Sequence, residues 1–241
     1  MDGVPETVTA ALADRQVEGR VCLEAGAGVG NTTAGLLAAG AERVYAVTND
    51  ADHAAAVRER VGRSHRNRLA VVEADLRATP LATDSVDLVT AHGLCNLLPP
   101  ADLDAVAAEL TRVANPGGGL VVDDYAVPPS DAAVNRLFAL ENAAARAVDG
   151  RPALTFYPPA VLAAVFADHG WTVERKKTLL DPVPWTAAHL NAHAGVVREY
   201  AAGLPDSLGE PLAGMAEDVV SAIGSERTGR MYSLAFRLAG V

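Results

Sequence analysis

Short apolar runs alternate with amphipathic stretches along the whole chain. Residues 21–23, 44–47, 69–72, 86–89 and 120–122 are compact apolar runs, and 171–180 and 231–238 are longer candidates near the end. Runs of this length, separated by about 20–30 residues, suit buried strands of βαβ units. Helical patterns fill the gaps. Asn31 or Thr32 can cap a helix that runs to Ala39 and ends at Gly40. Residues 102–114 put Leu103, Val106, Ala107, Leu110 and Val113 on one face. The stretch 159–169 starts at a proline, buries Leu162, Val165 and Phe166, and stops at Gly170. From Pro211 the positions Leu212, Met215, Ala216, Val219, Val220 and Ile223 form a further helical stripe, bounded by Gly224.

Strands alternating with helices predict an α/β fold: a doubly wound, seven-stranded, mostly parallel sheet. The segment 181–229 separates the last two strands and is too long for a simple connection. It is expected to be a helical insertion that caps the main body, with residues 125–158 helping to close the same mouth. Pro99-Pro100, residues 115–119 and Pro128-Pro129 read as punctuation between elements, not linkers. A single domain over 1–241 is therefore expected, and at this length roughly 72% of the unfolded chain's surface would be buried on folding.

Composition narrows the function. Half of the residues are hydrophobic, too many for disorder. No uninterrupted apolar stretch reaches the roughly 20 residues that span a bilayer. The first residues lack a basic region followed by an apolar one, so no secretory signal is expected. Cys22 and Cys95 are the two cysteines and read as free thiols in a reducing, cytoplasmic compartment. The net charge of -10 makes nucleic acid an unlikely partner and gives no basic patch for an anionic membrane. Oligomeric state stays open.

The most informative segment runs Val21-Cys22-Leu23-Glu24-Ala25-Gly26-Ala27-Gly28-Val29-Gly30-Asn31. A strand leads into an acid, three alternating glycines and a helix start. Glycines let the backbone turn sharply and let a ligand approach with no Cβ in the way. The spacing does not fit the dinucleotide fingerprint, which from Gly26 and Gly28 would require glycine where Asn31 stands. Glu24 would also repel a pyrophosphate, and suits a cationic ligand.

This E-x-G-x-G-x-G turn resembles motif I of the class I S-adenosylmethionine-dependent methyltransferases. Glu73-Ala74-Asp75, then Pro80, Asp84 and Ser85-Val86-Asp87-Leu88-Val89, resemble a second block of that family. Asn115-Pro116-Gly117-Gly118-Gly119-Leu120-Val121-Val122 resembles the approach to its fifth strand. The three blocks fall in order across residues 18–123. The resemblance implies a Rossmann-like methyltransferase fold, S-adenosylmethionine as cofactor with S-adenosylhomocysteine as product, and a small-molecule methyl acceptor at oxygen, nitrogen or carbon.

It also implies roles for particular residues. Gly26, Gly28 and Gly30 would pass under the methionine and ribose. Glu24 would anchor the loop and favour the cationic end of the cofactor. Asp75 would face the adenine amino group with Leu76 beside the ring, and Ala91 to Leu94 would face the sulfonium and the acceptor. The acid that usually follows the second strand to hold the ribose is replaced by Thr48 in Val47-Thr48-Asn49-Asp50. Either Asp50 reaches the ribose, or Thr48 and Asn49 hold it, or Asp50 simply caps the next helix.

Candidate bases are few. His92 follows the fourth strand, where the transferring methyl should lie. Asp123 and Asp124 end the fifth strand. Tyr157 suits the acceptor pocket and the core equally. His189 and His193 stand four apart on a predicted helix, but no third ligand is evident and no metal is expected. Cys95 lacks the preceding proline of cytosine-methylating enzymes. A non-catalytic cofactor-binding partner subunit, a protein methyltransferase and a nicotinamide oxidoreductase remain the alternatives.

Overall fold

A computed structural model describes residues 3–240. The chain opens with helix α1 (Glu6–Leu12), strand β1 (Val21–Ala25), helix α2 (Asn31–Ala38), strand β2 (Arg43–Thr48) and helix α3 (Ala51–Val57). Strands β3 (Leu69–Glu73) and β4 (Val86–His92) follow, then helix α4 (Pro100–Val113) and the long strand β5 (Ala114–Tyr125). Helices α5 (Asn135–Asp149) and α6 (Pro159–Asp168) lead to strand β6 (Trp171–Leu180). A short strand β7 (Val183–Trp185), helices α7 (Ala187–Ala201) and α8 (Asp206–Ile223), and strand β8 (Glu226–Thr228) precede the last strand, β9 (Met231–Leu238).

The seven-stranded sheet has the order β3-β2-β1-β4-β5-β9-β6. All five strands from β1 to β5 pair in parallel, and β9 inserts antiparallel between β5 and β6. The central strands bury both faces, as a doubly wound sheet requires. Cys22, Val121 and Ala235 pack under α1 and α2 with Val8, Leu36 and Leu37. Their neighbours Leu23, Leu120 and Phe236 face the opposite layer, against Leu103, Leu110, Leu162 and Phe166. The edge strand β6 differs. Its exposed Lys176 and Lys177 put charge along an open edge, which discourages pairing with another chain.

The region between β6 and β9 does not join this core. Helices α7 and α8 pack on each other and on α5, around Leu137, Phe138, Leu190, Val197 and Val219. The two-stranded β7–β8 ribbon closes this second cluster.

Some boundaries differ from those read in the sequence. Neither Asn31 nor Thr32 caps α2. Its N-cap is Gly30 at φ 80°, with no side-chain cap, because the glycine turn itself delivers the chain into the helix. Helix α8 begins at Asp206, five residues before the proline taken as its start, and carries Pro211 inside. The periodicity of α5 went unread because its apolar stripe includes the buried acid Glu141.

Phe236 is fully buried in β9 and stacks at 5.3 Å on Phe166. Phe236→Ala should cost about 3–5 kcal/mol. Urea unfolding would show this as a lower midpoint at unchanged slope.

Candidate active site

The carboxyl ends of β1, β2, β3 and β4 meet at one rim of the sheet. Gly26 and Ala27 donate their backbone N–H groups to the Val47 carbonyl at 3.0 and 2.9 Å, which ties the glycine turn to the end of β2. Two of its glycines stand in different surroundings. At Gly26 (φ 75°) a Cβ would lie 2.9 Å from Leu94 Cδ1, so a side chain there would collide with the β4 loop. At Gly28 (φ 48°) a Cβ would meet no protein atom within 4 Å. The turn thus leaves its outer face open at Gly28, as a backbone cradle for a ligand would.

Glu24 lies beneath this turn, 3% exposed, and accepts a hydrogen bond from the Thr33 hydroxyl on α2. Burial pushes its pKa up to about 7, against the pull of the Thr33 and Thr32 hydroxyls and of nearby His92. Thr48 is buried and its hydroxyl accepts from the Asp50 N–H at 3.2 Å. Asp50 caps α3: its carboxylate accepts from the His53 N–H at 2.9 Å, which holds its pKa below the ordinary value. Asn49 points differently. It lines a cavity of about 220 Å³ together with Asp75, Leu76, Leu94 and Leu97. Asp75 is gripped by Arg77, whose guanidinium donates to both carboxylate oxygens and holds the acid low. Arg77 also donates to Asp102, and Arg151 donates to Asp102 from the other side. A charged lattice therefore forms one wall of this cavity.

Past β4 the chain behaves unevenly. Ala91 is 1% exposed and packs in the main core. His92 Nδ1 lies 2.9 Å from Asp123 Oδ2, while Asp123 Oδ1 is buried with no partner. Asp124 accepts from the backbone N–H groups of Asn96 and Tyr125, at 2.9 and 2.7 Å. Burial raises its pKa to about 7. Cys95 is buried and its thiol is pushed well above the ordinary value by that burial, so it is a packing residue and no nucleophile at neutral pH. Tyr157, open between pocket and core in the sequence, is core: its hydroxyl donates to the Leu98 carbonyl at 2.7 Å.

A second cavity, about 260 Å³, adjoins the first across Leu97, which lines both. Asn96, Tyr125, Glu141, Phe156, Trp185 and His193 line it. Sequence reasoning found none of these as site residues, although an acid in an apolar helix stripe at Glu141 is a legible signal. His189 and His193 are each engaged by protein groups. His189 completes the capping box of α7, and His193 Nδ1 lies 2.7 Å from Glu141 Oε2. Among the described residues no cluster of three metal-ligating side chains occurs. A larger cavity, about 460 Å³, lies at the opposite, amino ends of the strands, where Arg15, Arg237, Asp14 and Glu174 neutralise one another.

In open α/β sheets ligands bind outside the carboxyl ends of the strands. A family described as a methyltransferase domain matches residues 22–118. That span holds β1 to β4, the glycine turn and both polar loops. Residues 22–118 belong to that methyltransferase-domain family, and the strand order is that of the class I S-adenosylmethionine-dependent methyltransferase fold. An uncharacterized methyltransferase of Geobacillus kaustophilus is 26% identical over 171 residues, 69% of this chain and 75% of that protein. The demethylmenaquinone methyltransferase of Clavibacter sepedonicus is 36% identical over 115 residues, 47% of this methyltransferase and 44% of the relative. The structure of a geranyl diphosphate methyltransferase in complex with S-adenosylmethionine superposes with a TM-score of 0.60 at 16% identity, covering 96% of this chain and 83% of the other. Among the described residues no helix is long and apolar enough to cross a membrane.

Glu24 and Asp124 make stability fall with pH. Their folded pKa values of about 7 exceed the ordinary 4.5 and 3.8. Between those limits the folded methyltransferase holds protons that the unfolded chain has released, so stability declines from about pH 4 to about pH 7 and then levels off. Acids held low by arginine, such as Asp75, act in the opposite sense and at lower pH. Glu24→Gln should flatten the decline, and urea unfolding at about pH 5 and about pH 8 reads the difference.

Proposed function

We propose that this methyltransferase acts on a small-molecule acceptor, with the cofactor lying across the glycine turn and the acceptor in the aromatic cavity beyond Leu97. The observation that carries the reading is the open space over Gly28, beside a cavity edged by Asn49, Asp75 and Leu76. These groups fit S-adenosylmethionine: a bare backbone under the amino-acid and ribose portion, an apolar side chain beside an adenine ring, and a buried acid behind the turn. Bound there, the cofactor supplies a methyl group activated by a sulfonium.

The chain's own residues then have distinct tasks. Gly26, Gly28 and Gly30 let the backbone come close. Asn49 takes the ribose, since Asp50 is spent on the helix cap and Thr48 is buried under it. Leu76 flanks the adenine, and Asp75 presents it an acceptor from beside Arg77. Glu24 contributes negative charge toward the cationic end, and cofactor binding favours its ionised form. His92, with its ring held by Asp123, is placed to take a proton from the acceptor. Ala91 acts through packing alone.

An acceptor cavity of about 260 Å³, walled by Phe156 and Trp185, supports a small molecule over a protein side chain or a nucleic-acid base. The net charge of -10 supports the same choice. The helices α5, α7 and α8 form the cap over that cavity.

Gly28→Asn tests the placement of the cofactor. Asparagine tolerates a left-handed backbone, so the variant should stay folded while its side chain fills the open space. Titration calorimetry with S-adenosylhomocysteine should show binding to the unaltered chain and at least about a tenfold loss in the variant, a difference of about 1.4 kcal/mol. Unchanged affinity would place the cofactor elsewhere.

A further inference from the structure

We infer that the aromatic cavity recognises a hydroxylated aromatic ring, and that His193, held by Glu141, accepts the hydrogen bond of its hydroxyl. The inference rests on the small-molecule reading above and adds the chemical class of the acceptor.

The walls suit a flat ring. Tyr125 and Trp185 stand at 5.3 Å between ring centroids, and Phe138 braces Phe156 at 5.1 Å and Trp185 at 5.2 Å. Aromatic pairs at such distances attract one another beyond what their shared burial supplies. The volume of about 260 Å³ falls below the usual range of about 300–1,000 Å³ for drug-sized ligands, so the ligand is a compact ring system.

Glu141 is 2% exposed, and its Oε2 lies 2.7 Å from His193 Nδ1. A carboxylate only accepts, so Nδ1 carries a proton, and in the neutral ring Nε2 then bears the lone pair. Nε2 has no protein partner among the described residues. The His193 ring is also fixed edge-on against Phe138, at 4.9 Å and 70°. Asn96 is 7% exposed, and its Oδ1 is buried with no partner. Its backbone is pinned on both sides, donating to Asp124 and accepting from the Thr155 N–H at 2.7 Å.

The open nitrogen of His193 therefore accepts a hydrogen bond at the cavity wall. A ligand that covers it must bring the donor, because a polar group buried without a partner is costly. A hydroxyl gives up far less than an ammonium on leaving water for an aromatic cavity, so the open Nε2 suits a hydroxyl. The ring fills the slot between Tyr125, Phe156 and Trp185, and its hydroxyl meets His193. Here His193 is a positioning residue for the acceptor, distinct from His92 at the rim of the sheet. Leu97, 55% exposed, lines both cavities and would be covered when both are filled.

Calorimetry on the full chain saturated with S-adenosylhomocysteine tests this with 4-ethylphenol, ethylbenzene and benzylamine. A site built to bond a hydroxyl discriminates strongly against the analogue lacking it, so 4-ethylphenol should bind at least about tenfold tighter than ethylbenzene. The double variant Glu141→Leu with His193→Phe removes the acceptor and its buried acid together, leaving no unpaired charge. It should bring the two hydrocarbon frameworks within about twofold, with S-adenosylhomocysteine affinity unchanged. His193→Gln, which keeps an acceptor near Nε2, should retain most of the preference. On the unaltered protein, the nitrogen-15 resonance of His193 Nε2 should move with 4-ethylphenol and not with ethylbenzene, a reading that needs no variant to fold. Equal affinities for 4-ethylphenol and ethylbenzene, tighter binding of benzylamine, a preference that survives in the double variant, or an unmoved Nε2 would each overturn the inference. Failure of the unaltered chain to bind S-adenosylhomocysteine would instead strike the cofactor placement, and is seen separately in the same calorimeter.

Discussion

Three carboxyl groups, Glu24, Asp123 and Asp124, lie buried at one rim of the sheet, and the arrangement of the site depends on how each is satisfied. Burial of a charge is expensive unless it is paired or hydrogen-bonded. Glu24 has a hydroxyl from α2, Asp123 has the His92 ring, and Asp124 has two backbone N–H groups. All of these bonds but the one from Tyr125, which stays within β5, cross between elements. Together they lock the glycine turn to α2, the end of β4 to β5, and the loop after β4 to the end of β5. These bonds set the geometry of the rim, where burial raises the pKa values of Glu24 and Asp124.

The molecule divides its apolar residues between that rigid frame and a separate cluster. The frame is the doubly wound sheet with α1 and α2 on one face and α4 and α6 on the other. The second cluster, under α5, α7 and α8, touches the sheet through Tyr125, Met231 and the aromatic group around Trp185. The aromatic cavity opens where the two meet, beside Asn96 and Leu97. One layer supplies a fixed cradle at the strand ends, and the other supplies the walls that select what lies opposite it. Variation in such added segments changes what a common fold can act on without disturbing the sheet.

The strands and the glycine turn were legible because their physics is local. Period, length and the glycines at 26, 28 and 30 identify a strand running into a ligand-bearing turn with no tertiary information. The helix bounds were less legible. At α2 the backbone of Gly30 does the work that a side-chain cap at Asn31 or Thr32 was expected to do. At α8 the proline lies inside the helix, where packing on α7 outweighs the lost N–H. The loop after β2 was ambiguous in sequence, since Thr48, Asn49 and Asp50 all carry oxygen. The His53 N–H commits Asp50 to the cap and leaves Asn49 at the cavity.

By itself the sequence determined the buried strands of the sheet, the glycine turn with its acid, and an acidic chain without a basic surface, because each follows from residue type and spacing. Only the tertiary structure decided that His92 meets Asp123, that His193 meets Glu141 across 52 residues, and that Asn96 is left with an unmatched oxygen. The reason is that a hydrogen bond is specified by direction over about 3 Å. The elements that carry these partners are far apart along the chain, and nothing in the local pattern of either one encodes where the other will stand.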